Sequence, residues 1–194
     1  MTTVSATKGT RVPMYQGPKR LPMSVQAYHA LGRMGLIPEK TELVHGQIYR
    51  KMPKSPLHCA LLLRLLWILQ VRIPAGYFVR PEQPLTLADS EPEPDLSVIS
   101  GSPESFLESH PTTAELVIEI CVSSYDYDQE KLSAYASAVV QEVWLVLAEY
   151  RRVEVYRKPA GDHYTETLTL ETGDSLTCSS VAMAAISLDE LFRS

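Results

Sequence analysis

The chain has 194 residues, of which 45% are hydrophobic and 21% charged, with a formal net charge of −5 and a pI near 5.6. That composition suits a globular domain long enough to bury a real core. The acidic balance argues against tight, non-specific DNA binding, although it leaves room for an enzyme that brings its own cations.

Three cysteines, Cys59, Cys121 and Cys178, have no zinc-like spacing and are odd in number, which points to reduced thiols in a cytosol. No N-terminal apolar stretch resembles a signal peptide. The longest apolar run, 60–71, is interrupted by Arg64 and too short to span a bilayer. A cytoplasmic protein without membrane contact is expected.

In chain order, residues 1–20 lack apolar periodicity and read as a flexible arm, with 21–194 as a single domain. Ser24 caps a short helix, 25–34, ended by Gly35. Alternation around His45-Gly46 reads as a hairpin over 41–52. Ser55-Pro56 starts a helix over 57–72 that is apolar nearly all round and is expected to be the buried central helix, with Trp67 in the core. A strand is expected over 77–87 and another over 95–100, followed by a loop or short surface helix to 113. The most strand-like segment is 115–122. A helix over 127–140 comes next, then strands over 141–148, 152–157 and 164–170, and a short helix over 188–192. This order gives α/β with a mixed sheet flanked by helices.

Two apolar runs each carry one acid that a core strand would not want: Asp95 opens the first and Glu119 sits within the second. A buried carboxylate must be neutralised, paired or bound to a cation. Strand alternation puts Glu119 on the face of Val117 and Cys121, opposite Ile118 and Ile120. Carboxylates on neighbouring strands would repel, which raises one pKa or recruits a hard cation, Mg²⁺ or Mn²⁺ rather than zinc. Lys131 falls in the first turn of the helix expected over 127–140, where the helix dipole disfavours a cation. Its bland reading is a surface lysine paired with Asp128 or Tyr127. Asp126 and Asp128 read as helix caps, and Cys121 as a core thiol. His29, His110 and His163 read as isolated and solvated. The tyrosines are too scattered to make a base-stacking stripe.

The segments MSVQAYHAL, TELVHGQIYRKMPKSPLH, the run from EPEPDLSVIS to RRVEVYR, and the final ISLDELF resemble, in that order, the Uma family of bacterial restriction-endonuclease-like proteins. That family belongs to the PD-(D/E)XK nuclease superfamily with its restriction-endonuclease-like fold. The resemblance implies that Pro94-Asp95 is the PD half of the motif and Glu119 its second acid. Asp95, Glu119 and the carbonyl of Ile120 would then hold Mg²⁺ or Mn²⁺. The superfamily's usual lysine position, two residues after the second acid, holds Cys121; the lysine is carried instead by the following helix, at Lys131. Glu42 matches the acid of the family's hairpin and His58 its helix start, both as further members of the site. Val122 and His45 depart from the residues common in relatives at those positions. The implied activity is metal-dependent cleavage of nucleic acid, DNA more than RNA, by a chain that could form a homodimer. A nuclease-like fold serving as a non-catalytic binding or regulatory module is the alternative, favoured by the acidic charge.

Overall fold

Six strands pair into one mixed sheet whose order is β3 (Tyr77–Pro81), β4 (Leu96–Ser100), β5 (Leu116–Cys121), β6 (Glu142–Leu147), β7 (Arg152–Ala160) and β8 (His163–Leu170). The computed structural model describes residues 20–193, so the expected arm lies outside the described residues apart from Arg20. Only β5 and β6 run parallel; every other neighbouring pair is antiparallel. Parallel neighbours need a crossover, and α3 (Tyr125–Ser137) provides it. The expected α/β class with a mixed sheet flanked by helices is what the chain adopts.

A separate hairpin joins β1 (Thr41–Val44) to β2 (Gln47–Arg50). His45 and Gly46 both have positive φ, 49° and 70°, as a tight two-residue hairpin turn demands. Gly46 is further constrained because a Cβ there would meet the Pro22 Cβ at 2.4 Å. The short α1 (Val25–Arg33) starts at Ser24, whose Oγ accepts from the Ala27 N–H.

Alternation along the central strands sorts apolar side chains into two layers. Leu116, Ile118 and Ile120 of β5 join Leu96, Val98, Trp144 and Val146 under α2 (Pro56–Arg72). Val117 and Cys121 face the other way, with Val143 and Leu145, toward Ala134 and Tyr135 of α3. Ser55 caps α2 by accepting from the His58 N–H, and Pro56 occupies its first turn, where no N–H bond is lost. The inward face of α2 is Leu61, Leu62, Leu65, Ile68 and Leu69, at helical spacing.

The expectation that α2 is a buried central helix is corrected here. It lies on one side of the sheet with nothing described beyond it, so Leu63, Trp67 and Val71 face outward, and Trp67 is 59% exposed. The C-terminal segment reaches its flank through β9 (Ser175–Leu176), β10 (Ile186–Ser187) and α4 (Leu188–Leu191). Arg64 donates to the Leu191 and Arg193 carbonyls, and Arg72 Nη2 donates to both carboxylate oxygens of Glu190.

The other differences are local. β3 stops at Pro81 rather than 87, because Glu82 takes a positive φ of 51° and Pro84 follows. α3 begins two residues earlier than expected, at Tyr125. The three histidines expected to be isolated all have partners, His163 Nδ1 lying 3.4 Å from Asp162 Oδ1 on the surface. His29 Nε2 is 2.6 Å from Glu91 Oε1, and His110 Nδ1 is 3.1 Å from the Arg80 guanidinium.

Candidate active site

Both acids lie where the antiparallel ladder between β4 and β5 ends, at the pair Leu96–Ile118. Asp95 is the residue before β4, and Glu119 is the next residue of β5 past that pair. The Ile120 N–H donates to Asp95 Oδ2 at 2.8 Å, and the Asp95 N–H reaches toward Glu119 Oε2 at 3.4 Å. Backbone and side chain thus replace the rung that the ladder would have made next. Within a strand the N–H and C=O of one residue point to the same side. The Ile120 carbonyl therefore also faces Asp95, beyond the last rung.

Asp95 is surrounded by donors. Oδ1 accepts from Lys54 Nζ at 2.9 Å, and Oδ2 accepts from His58 Nε2 at 2.9 Å as well as from Ile120. An ionised carboxylate only accepts, so His58 carries its proton on Nε2. Burial would raise the Asp95 pKa, but the His58 hydrogen bond and charge, with Lys54, outweigh it and hold it at about 2. Lys54 also pairs with Glu82. Burial opposes its charge, yet Asp95 and Glu82 together raise its pKa.

Glu119 is 2% exposed. Its Oε1 accepts from the Tyr135 hydroxyl at 2.6 Å and from Lys131 Nζ at 3.2 Å. Lys131, 3% exposed, also stands 3.2 Å from Asp128 and 3.5 Å from Glu42, and lies over the Tyr127 ring at 4.6 Å. Glu42 is held in turn by the Glu93 N–H at 3.0 Å.

Three carboxylates facing one ammonium leave two excess negative charges in a buried place. Burial accordingly raises the Glu119 pKa to about 8, with Lys131 opposing and Asp128, Asp95 and Glu42 adding to the rise. For Lys131, burial is outweighed by the same carboxylates and the pKa is raised. Both directions agree with a charged lysine beside a carboxyl group that retains its proton near neutrality. Burial also raises the phenols of Tyr135 and Tyr127 and the thiol of Cys121, so the thiol is an inert core group.

Two expectations about the helix are corrected. Because α3 starts at Tyr125, Lys131 belongs to its second turn and is buried, neither a first-turn residue nor a surface lysine. Asp128 is no cap: it is a buried ion-pair partner, and Ser124 Oγ donates to it. Asp126 is exposed and makes no capping bond.

All five side chains expected in the site, Glu42, His58, Asp95, Glu119 and Lys131, line one cleft of about 170 Å³, together with Ile120. Lys54 and Tyr135 were not anticipated. Tyr135 follows Lys131 by four residues and Asp128 by seven, so helical spacing alone puts the three on one face. Lys54 precedes His58 by four residues at the helix entry, a fainter signal.

Among the described residues no group of three or more His, Cys, Asp and Glu side chains is arranged to hold a metal ion unaided. The donor set still fits a magnesium-like ion, which commonly uses one or two carboxylates and keeps several waters. The oxygens are hard, Glu119 Oε2 has only the long Asp95 contact, and the surplus negative charge would be relieved by a cation.

Residues 26–189 match the family described as "Uma2: Putative restriction endonuclease", and the chain belongs to that family. Among solved structures it is similar to one described as a putative nuclease of the DUF820 group from Anabaena variabilis. The TM-score is 0.70 at 21% identity, covering 84% of this chain and 96% of the other; that likeness concerns the fold. No curated protein matches the chain.

Proposed function

We propose that the cleft hydrolyses phosphodiester bonds of nucleic acid, DNA in preference to RNA, with Mg²⁺ or Mn²⁺. The observation that carries this reading is the locked pair Asp95–Glu119 at the end of the β4–β5 ladder, with the Lys131 ammonium on the far side of Glu119. Membership in a family described as restriction endonucleases supports it. So does the fold shared with a chain described as a nuclease.

Asp95, Glu119 and the Ile120 carbonyl would hold the cation. Bound there, it would supply Lewis acidity to a phosphate oxygen and acidity to water. The protein's own groups divide the remaining work. Lys131 orients the attacking water or stabilises the charge that develops on the phosphate. Glu42 and Asp128 fix that ammonium from two other directions, and Tyr135 orients the Glu119 carboxylate. His58 holds Asp95 ionised. Lys54, on the irregular stretch between β2 and α2, can exchange Asp95 for a phosphate oxygen as substrate enters.

A test uses purified protein with DNA and RNA substrates, each with EDTA, Mg²⁺ and Mn²⁺. Divalent-dependent cleavage, abolished by Asp95→Asn and by Glu119→Gln, is expected. Absence of cleavage by the wild type on every substrate would turn the reading to a non-catalytic binding module.

A further inference from the structure

Behind Tyr127 lies a second cavity, larger than the acidic cleft, that the proposed chemistry leaves unused. Its volume is about 600 Å³, and Val122, Ser123, Ser124 and Tyr127 line both spaces. Cavities of this size take ligands of nucleoside dimensions. Tyrosines scattered in the sequence converge here: Tyr125 and Tyr127 from the start of α3, and Tyr150 from the turn after β6.

The three aromatic groups differ in how they are held. The Tyr127 ring is fixed between the Lys131 ammonium, at 4.6 Å, and the Tyr49 ring, at 4.7 Å between centroids. Tyr125 donates to the Glu154 carboxylate. Tyr150 is 70% exposed and makes no side-chain hydrogen bond among those described. It stands on a three-residue 3₁₀ turn followed by Arg151 in the left-handed region, φ 52°. Non-glycine residues held there cost free energy and cluster at ligand clamps. Arg152, 2.6 Å from Glu171, holds a guanidinium at the same cavity, and Glu149 and Ser123 offer hydrogen-bonding edges.

We infer that this cavity seats an unpaired nucleobase adjacent to the bond cut in the acidic cleft, so the substrate is a single strand. The inference rests on the phosphodiesterase reading for its neighbouring phosphate. Bases in an intact duplex are stacked inside the helix and cannot enter a side cavity without leaving the stack. A free base, in contrast, stacks on tyrosine and arginine whatever its identity. The pocket therefore selects for strandedness rather than sequence.

The test is binding of a single-stranded oligonucleotide carrying 2-aminopurine, in Ca²⁺ to slow cleavage, compared with the same sequence as a duplex. Fluorescence change on stacking, and at least tenfold tighter binding of the single strand, are expected. Tyr150→Ala should weaken single-strand binding roughly tenfold or more, while Tyr150→Phe keeps it. Arg152→Ala provides a second, independent variant, and melting temperatures confirm that each is folded. Equal affinity for single strand and duplex, or unchanged binding in both Tyr150→Ala and Arg152→Ala, would overturn the inference.

Cleavage measured in parallel with Mg²⁺ separates the two readings. Single-strand binding with the fluorescence change but no cleavage leaves the base site standing and removes the nuclease. Cleavage of duplex and single strand alike, indifferent to Tyr150, does the reverse. No binding and no cleavage of any strand overturns both.

Discussion

The Lys131 ammonium stands 3.2 Å from the Glu119 carboxylate, the one member reached from a helix and the other from a central strand, and both are buried. Removing the ammonium is costly, because Glu119, Asp128 and Glu42 are then left crowded together and desolvated without the cation they share. Lys131→Ala should therefore destabilise the protein by about 3 kcal/mol or more, read by urea unfolding. Glu119→Gln added to Lys131→Ala should restore part of the loss. A single variant as stable as wild type would mean that the acids do not depend on the lysine. Activity assays on Lys131 variants need this stability measurement beside them.

Moving the lysine tests whether position or element matters. Cys121 faces the same side of β5 as Glu119 and lies near Asp128. In a Lys131→Ala background, Cys121→Lys should place an ammonium among the same carboxylates. The expected outcome is a melting temperature above that of the single variant and partial return of divalent-dependent cleavage. A double variant less stable than Lys131→Ala would show that the α3-side core rejects the longer side chain.

Acid and base should act on the two carboxylates in opposite directions. Asp95 has a pKa lowered to about 2, below its ordinary value, so the folded state binds fewer protons there than the unfolded chain. Its contribution to stability is complete above about pH 4 and is lost as pH falls toward 2. Glu119 is raised to about 8, so the folded state binds more protons, and stability declines as pH rises from about 4.5 toward 8. Melting temperatures across pH 3 to 9 should show both flanks. Glu119→Gln should flatten the alkaline one alone, and Asp95→Asn the acid one. An alkaline flank unchanged in Glu119→Gln would assign it to other groups.

Divalent ions should act through Asp95. Wild-type protein titrated with Mg²⁺ or Mn²⁺ in a calorimeter is expected to show binding that Asp95→Asn loses, without loss of the cooperative unfolding transition. The asparagine keeps the shape and one acceptor for the Ile120 N–H, so a collapsed fold is not the expected cause. Equal binding by wild type and Asp95→Asn would move the cation elsewhere.

The acids were legible because each interrupts an apolar run that otherwise reads as a strand, and burying a carboxylate has few solutions. Strand alternation also assigned the two faces of β5 correctly. Helix register was less legible. Ser124 stands at the N-cap of α3 without making a capping side-chain bond, and the two-residue shift moved Lys131 from an exposed first turn to a buried second one. Trp67 was misplaced for another reason. An all-apolar helix reads as central, but hydrophobicity cannot say whether a second layer exists to cover its outer face. Lys54 lay in a stretch with no periodicity, and only the fold brings it beside Asp95.

The clamp of Arg64 and Arg72 on the C-terminal segment has a consequence for biosynthesis. Arg64 waits for a carbonyl 127 residues downstream, which at roughly 5–20 residues per second is a delay on the order of 6 to 25 s. Throughout that interval the growing polypeptide carries the flank of α2 without Leu188 and Leu191 against it. The segment that carries Leu188 and Leu191 therefore closes this flank long after the acids themselves have been made.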